Sequence, residues 1–77
     1  MKELVEYIAK SLVENTDAVM VHQSNQGSRV KIELKVAKDD MGRVIGKNGR
    51  IINSIRALVR VASEKDGRQV TLDVVEP

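Results

Sequence analysis

The chain has 77 residues, 42% apolar and 31% charged, with a formal net charge of +2 at pH 7. This balance is typical of a folded domain and argues against intrinsic disorder. Cysteine is absent, which excludes disulfides and thiolate metal sites, and Tyr7 is the one aromatic residue. So few rings argue against nucleic-acid domains that stack bases on aromatic side chains. The first ten residues do not form a signal peptide and no apolar run spans a membrane, so we expect a cytoplasmic protein.

The N-terminal segment predicts an amphipathic helix that ends near Glu14. Charged residues occupy its polar face, where Glu6 and Lys10 are spaced to form an ion pair one turn apart. Apolar residues recur at helical spacing on the other face. These apolar positions are Leu4, Val5, Ile8 and Leu12.

Two strands joined by a polar turn are predicted next. The first begins near Ala18 and ends in a cluster of turn-forming residues at 24–28. The second alternates strictly between charged and apolar residues, which is typical of a strand with one buried face. The apolar positions of the second strand are Val30, Ile32, Leu34 and Val36.

Two helices separated by glycines follow, and then a last strand over 69–74. We expect Asp39 or Asp40 to cap the short helix 41–45. From Arg50 a longer helix runs to about Lys65, and Gly67 is its predicted stop. The predicted apolar face of the longer helix consists of Ile51, Ile52, Ile55, Leu58, Val59 and Ala62.

This order of elements, α-β-β-α-α-β, predicts an α+β fold in a single domain over residues 1–77. The first two strands should form an antiparallel hairpin. About thirty residues separate the second and third strands, enough for a parallel crossover connection. We therefore expect a three-stranded mixed sheet with the helices packed on one face.

Basic residues cluster in the second half of the chain, where residues 41–63 contain no acid. Such a cluster is typical of a surface that binds phosphate, although a solvated basic helix face gives the same pattern. The basic residues of this stretch are Arg43, Lys47, Arg50, Arg56 and Arg60.

Residues 46–49, Gly-Lys-Asn-Gly, form a loop between two helical segments. The flanking helical periodicity argues against a β-hairpin, and the glycine spacing matches neither a P-loop nor a dinucleotide fingerprint. An ordinary joint between two helices remains open. The alternative is phosphate binding, because the loop precedes a helix N-terminus and its glycines permit close approach of a backbone.

Residues 44–55 resemble the signature of the KH domain, (V/I)-I-G-x-x-G-x-x-I-x-x-I, and here read VIGKNGRIINSI. The order of elements is similar to the type II, prokaryotic arrangement. The whole chain most resembles the KhpA family of small bacterial RNA-binding proteins. This resemblance implies binding of single-stranded RNA, a role as post-transcriptional regulator or RNA chaperone, and a homodimer or a heterodimer with a KhpB (Jag)-like KH protein.

The resemblance also implies where RNA binds. In KH domains the G-x-x-G loop clamps the backbone of about four nucleotides, with the bases turned into a groove. The loop and flanking arginines would contact phosphates, and the second strand would form one wall of the groove. The implied groove floor consists of Gly42, Val44, Ile45 and Ile52. The implied RNA-binding residues are Gly42, Arg43, Val44, Ile45, Gly46, Lys47, Asn48, Gly49, Arg50 and Ile52, with Ile32 and Leu34 on the wall.

Residues at the edge of the long helix's apolar face provide a candidate dimer contact, formed by Ser54, Ala57 and Val61. His22 is the sole histidine and has no acid beside it in the sequence, so we expect neither catalysis nor a metal or other cofactor. A second interpretation is a protein-interaction adaptor whose RNA groove is vestigial. Lys47 and Asn48, rather than acidic residues, favour RNA binding.

Overall fold

The computed structural model describes residues 2–75, and its order of helices and strands confirms the predicted one. Three short 3-10 turns, at 16–18, 38–40 and 47–49, lie between these elements. The helices and strands are α1 (Lys2–Leu12), β1 (Met20–Gln26), β2 (Arg29–Lys35), α2 (Met41–Ile45), α3 (Arg50–Glu64) and β3 (Gln69–Val75). Within residues 2–75, the helices are too short or too polar to cross a membrane.

The three strands form one mixed sheet in the order β1-β2-β3, which confirms the predicted fold class. The β1–β2 pair is antiparallel and the β2–β3 pair is parallel. Alternate residues of β2 are buried in one core with residues from all three helices. The helices therefore cover one face of the sheet, and the other face is open.

The hairpin is longer than the sequence suggested. The polar residues 24–26 belong to β1, and the turn consists of Gly27 and Ser28 alone. Gly27 has a φ of +63°, whereas Ser28 has a negative φ. A two-residue turn with positive φ at its first position suits the twist of paired strands, so glycine allows β1 to continue to the turn.

Two leucines that we expected in the core are exposed. Leu4 keeps 39% of its surface exposed and Leu58 keeps 57%. Each comes directly before a fully buried valine, Val5 in α1 and Val59 in α3. Because successive residues turn about 100° around a helix, the preceding leucine lies at the edge of the buried face.

Two local predictions about the helices are confirmed. Lys10 Nζ lies 3.0 Å from Glu6 Oε1, and this hydrogen bond and the lysine charge lower the pKa of the Glu6 carboxyl. Beyond α3, Gly67 adopts a φ of +69°, and the N–H of Arg68 donates to the carbonyl of Ser63 at 3.1 Å. This pattern is a Schellman motif, which requires a left-handed residue that glycine supplies without strain.

Asp40 does not cap α2 through its side chain, contrary to expectation. Its carboxylate instead accepts hydrogen bonds from the backbone N–H groups of Glu14, at 3.2 Å, and Asn15, at 3.1 Å. The residue is only 3% exposed. Asp40 thus joins the segment after α1 to the start of α2, a contact between residues distant in sequence that helical spacing does not reveal.

Replacing Asp40 with alanine should lower the free energy of unfolding by about 2–3 kcal/mol, because two backbone N–H groups lose their acceptor in a largely buried site. Urea unfolding followed by circular dichroism measures the loss. Asp39 is exposed, so Asp39→Ala should change stability by less than about 0.5 kcal/mol. Equal effects of the two substitutions would contradict this role for Asp40.

Candidate nucleic-acid interface

The glycine loop is a left-handed turn between α2 and α3. Gly46, Asn48 and Gly49 all have positive φ, of 73°, 58° and 74°. The N–H of Gly46 closes α2 on the carbonyl of Gly42, and the N–H of Gly49 donates to the carbonyl of Gly46 at 3.2 Å. Glycine adopts this conformation freely and asparagine tolerates it better than most residues. The Gly-Lys-Asn-Gly sequence therefore suits the turn at each of the three positions with positive φ.

Gly46 is required by packing as well as by its backbone angle. A β-carbon at this position would lie 2.6 Å from Cγ1 and 2.9 Å from Cβ of Ile51. A β-carbon on Gly49 would meet nothing closer than 3.6 Å, at Asn53. We expected both glycines to leave space for a ligand, but the space at Gly46 is filled by the first turn of α3.

The loop presents three polar side chains to solvent. Lys47, Asn48 and Arg50 are exposed, and within residues 2–75 their side chains form no hydrogen bond or ion pair. They surround the N-terminus of α3, whose first turn has no side-chain cap and no acidic residue. The partial positive charge of a helix N-terminus favours anions. Two cations and uncapped N–H groups therefore occur together at this end of α3.

Comparison with known families matches the model of the KhpA/KhpB KH domain to residues 2–74. This match covers nearly the whole chain. The chain belongs to the KhpA/KhpB KH-domain family.

Bacterial relatives agree with this assignment. The chain is 49% identical to RNA-binding protein KhpA of Caldanaerobacter subterraneus subsp. tengcongensis, covering 97% of this chain and 100% of the relative. It is 46% identical to RNA-binding protein KhpA of Halalkalibacterium halodurans, covering 99% and 100%. A crystal structure of Era in complex with MgGDPNP and nucleotides 1506–1542 of 16S ribosomal RNA has a similar fold, with a TM-score of 0.70. That similarity spans 97% of this chain and 29% of Era at 23% identity.

Arg43, predicted to support the loop of this KH domain, is engaged elsewhere. Its Nη2 atom donates to Glu14 Oε1 at 2.9 Å, and its Nε lies 3.4 Å from Asp40 Oδ1. The guanidinium remains about half exposed. Arg43 thus belongs to the contact between α2 and the end of α1, and its charge is partly compensated by two acids.

The groove floor beside the loop is narrower than predicted. Val44 is fully buried in the core, so its expected contact with a base is wrong. Ile52 retains only 5% exposure, whereas Ile45 is half-buried and Gly42 is exposed. Among the four predicted floor residues, Ile45 and Gly42 offer the accessible surface.

The prediction that β2 forms the opposite wall is wrong. Ile32 and Leu34 are fully buried, and β2 is the central strand with a hydrogen-bonded neighbour on each side. Its backbone groups are therefore unavailable to a ligand. Period-two alternation predicted that these residues face the core, but it does not tell which strand is central.

The strand that lies open beside α3 is β3, at the edge of the sheet. Gln69 N–H donates toward the β2 side, to the carbonyl of Ser28, so the backbone groups of the even-numbered residues 70–74 point away from the sheet. Arg56 Nε donates to one of them, the carbonyl of Leu72, at 2.9 Å, and Arg56 Nη1 donates to Asn53 Oδ1 at 3.2 Å. The cleft between α3 and β3 is thus lined by a guanidinium and an open strand edge, a signal that only the sheet order reveals.

The candidate dimer residues are exposed along one face of α3. Ser54, Ala57 and Val61 lie at helical spacing, and Leu58 completes this apolar stripe. Leu58 and Val61 are each 57% exposed. We assigned Leu58 to the core from the sequence, so the stripe is more apolar than predicted.

His22 lies on the open face of the sheet, away from the loop. Its Nε2 is 3.4 Å from Ser24 Oγ, and the strand register places Glu33 opposite it, a neighbour that the sequence order did not show. Within residues 2–75, no three His, Cys, Asp or Glu side chains are grouped so that they would hold a metal ion.

Proposed function

We propose that this KH domain is a non-catalytic, cytoplasmic RNA-binding protein that clamps about four nucleotides of single-stranded RNA at the Gly46–Gly49 loop. The observation that carries the proposal is the exposed, unpaired group of Lys47, Asn48 and Arg50 at the N-terminus of α3. Relatives that match along their full length are named RNA-binding proteins. The affinity of a Lys47→Asp, Asn48→Asp variant for RNA tests the proposal.

Phosphate binding follows from the chemistry of this helix end. The N–H of Arg50 donates to the carbonyl of Lys47, but the first turn of α3 has no side-chain cap and no acidic residue, so the positive end of the helix dipole is open to phosphate oxygens. Lys47 and Arg50 add formal charge that neutralises the RNA backbone, and Asn48 adds a neutral donor. Arg43 is a supporting phosphate contact in this proposal. It attracts phosphate less strongly than Lys47 or Arg50, because Glu14 and Asp40 partly compensate its charge.

Bases would lie against α2 and the start of α3, toward the edge of β3 that borders α3. The accessible floor is Gly42 and Ile45, with the exposed edge of Ile52, and the wall is the outward backbone of β3 rather than that of β2. An aliphatic floor packs against any base, and Tyr7 lies on α1 rather than beside the loop. The domain should consequently bind RNAs of different base sequence with similar affinity.

One such groove contacts few nucleotides, so useful affinity requires a second binding site on the same RNA. The exposed stripe on α3 provides a surface for this purpose, either between two copies of the chain or with a KhpB (Jag)-like KH protein. A dimer of this kind would act as a post-transcriptional regulator or RNA chaperone.

Replacing Val61 with arginine should convert a dimer into a monomer, because the substitution places a charge in the middle of an apolar contact. Light scattering over a range of concentrations measures the mass. Thr16→Arg is the matched control, since Thr16 is exposed outside α3 and the change in charge is the same. A wild-type protein that stays monomeric at high concentration, or an unchanged mass for Val61→Arg, would refute the homodimer.

The second candidate is a protein-interaction adaptor with a vestigial groove, and the exposed Leu58 and Val61 favour it. The two candidates differ in one measurable property. If the adaptor interpretation is correct, charge reversal in the loop leaves RNA affinity unchanged.

A further inference from the structure

The open face of the sheet carries a second polar surface, at the end where β1 and β2 are joined. The strand register aligns two rows of side chains across all three strands there. These rows point away from the core, because the residues that alternate with them face the helices. The surface, here called the hairpin-end patch, consists of Ser24, Gln26, Arg29, Lys31, Gln69 and Thr71.

The open face is divided sharply by charge. The hairpin-end patch contains two cations and no acid, while the next row contains His22, Glu33 and Asp73. Within residues 2–75, the side chains of Arg29 and Lys31 have no ion pair or hydrogen bond. The two cations are thus uncompensated by direct contacts, and a shallow depression lies between them and β3.

The chemistry of the hairpin-end patch fits a nucleic-acid backbone. Arginine, lysine, glutamine, serine and threonine are the side chains that contact phosphate oxygens and sugars in protein–nucleic-acid complexes. Arg29 and Lys31 are two residues apart on β2, so they are spaced by roughly 6.6 Å along the strand. The patch has none of the large apolar or aromatic anchors that a protein partner would bury.

The hairpin-end patch is remote from the Gly46–Gly49 loop. The loop precedes α3, and α3 runs to the hairpin end before β3 begins, so the loop lies at the opposite end of the sheet. A helix of 15 residues is about 22 Å long. The patch also lies across the sheet from the helices. An RNA segment of about four nucleotides held by the loop therefore does not reach it.

We propose that the hairpin-end patch binds a second segment of RNA backbone, so that one copy of the chain holds two segments at once. The proposal rests on the proposed function for its ligand class but uses residues outside the loop and groove. It assigns the patch to phosphate contacts without base recognition, and RNA binding at the patch should weaken as salt increases, by a slope of roughly 0.7 per phosphate contact.

The test compares two lysines on the same face of β2. Lys31→Glu changes the hairpin-end patch, and Lys35→Glu, the matched control, changes an exposed lysine two rows away that is aligned with Met20 and Val75. Affinity is measured for oligouridines of about five nucleotides, which fill one clamp, and of about twenty nucleotides. At roughly 3.4 Å or more per nucleotide the longer RNA exceeds the 35 Å length of the molecule.

Lys31→Glu should lower the affinity for the longer RNA about fivefold at low salt and reduce the slope of log affinity against log salt by about one unit. The affinity for the shorter RNA should not change. Lys35→Glu should leave both unchanged. Lys31→Gln provides a milder variant should the charge reversal perturb folding. The proposal would be overturned if wild type and Lys31→Glu bound the longer RNA with equal affinity. It would also be overturned if both lysine variants lost the same affinity, or if Lys31→Glu lost the same affinity for both RNAs. Failure of the loop variant alone would instead refute the proposed function.

Discussion

Replacing Lys47 and Asn48 together with aspartate should weaken binding to single-stranded RNA by about ten- to a hundredfold. The substitutions remove a cation and place two anions beside the uncapped N-terminus of α3, where phosphate is expected. Fluorescence anisotropy with an unstructured oligouridine measures the affinity. Wild-type affinity should fall as salt increases, and the variant should show a shallower dependence because it makes fewer phosphate contacts.

Stability should hardly change in this variant. Lys47 and Asn48 are exposed and their side chains have no partner within residues 2–75, so the free energy of unfolding should shift by less than about 0.5 kcal/mol. Lys65→Asp combined with Asn25→Asp is the control, because it makes the same substitutions at exposed positions outside the loop. Loop and control variants are compared with an oligouridine of about five nucleotides, which fills the clamp and does not reach the hairpin-end patch. If loop and control variants bind equally well, the loop does not clamp RNA.

Replacing Gly46 with alanine should cost about 2–5 kcal/mol of unfolding free energy, because two penalties add. The residue has a φ of +73°, and its new β-carbon would lie 2.6 Å from Ile51 Cγ1. Ile51 is branched at its β-carbon and sits in the first turn of α3, so it has little freedom to move aside. For a domain of this size the melting temperature should fall by at least about 10 °C.

The two neighbouring glycines separate these penalties. Gly49→Ala places a β-carbon on a residue with a φ of +74° but brings it no closer than 3.6 Å to any neighbour, so it should cost about 1–2 kcal/mol. Gly42 lies within α2, has open space around its α-carbon and lacks a positive φ, so Gly42→Ala should be neutral or stabilise by up to about 1 kcal/mol. Thermal unfolding of the three variants tests this order. A loss for Gly46→Ala no larger than that for Gly49→Ala would show that Ile51 moves away at little cost.

The sequence alone determined the order of elements, the parallel crossover and the position of the loop. These features depend on short-range signals. Period-two alternation in residues 29–36 marks a strand with one buried face, helical periodicity after Arg50 marks α3, and glycine supplies the positive φ that the turns need. Residues 44–55 carried the family resemblance, which the family match over residues 2–74 confirms.

Tertiary structure decided which neighbours those elements meet. Alternation places Ile32 toward the core but does not reveal that β2 is the central strand, so the predicted groove wall was wrong and β3 is the open edge. The carboxylate of Asp40 reaches the backbone of Glu14 and Asn15 across 25 or more positions in the chain.

The same limit applies to surfaces. Leu58 and Val59 are about 100° apart around the axis of α3. Which of the two is buried depends on how α3 is rotated against the sheet and α1, and helical periodicity does not fix that rotation for residues at the edge of an apolar face. The alignment of Arg29 and Lys31 with neutral residues, and of Glu33 with His22 and Asp73, follows from strand register. Local sequence determines which way a side chain points from its own strand or helix, whereas pairing between distant segments determines what lies beside it.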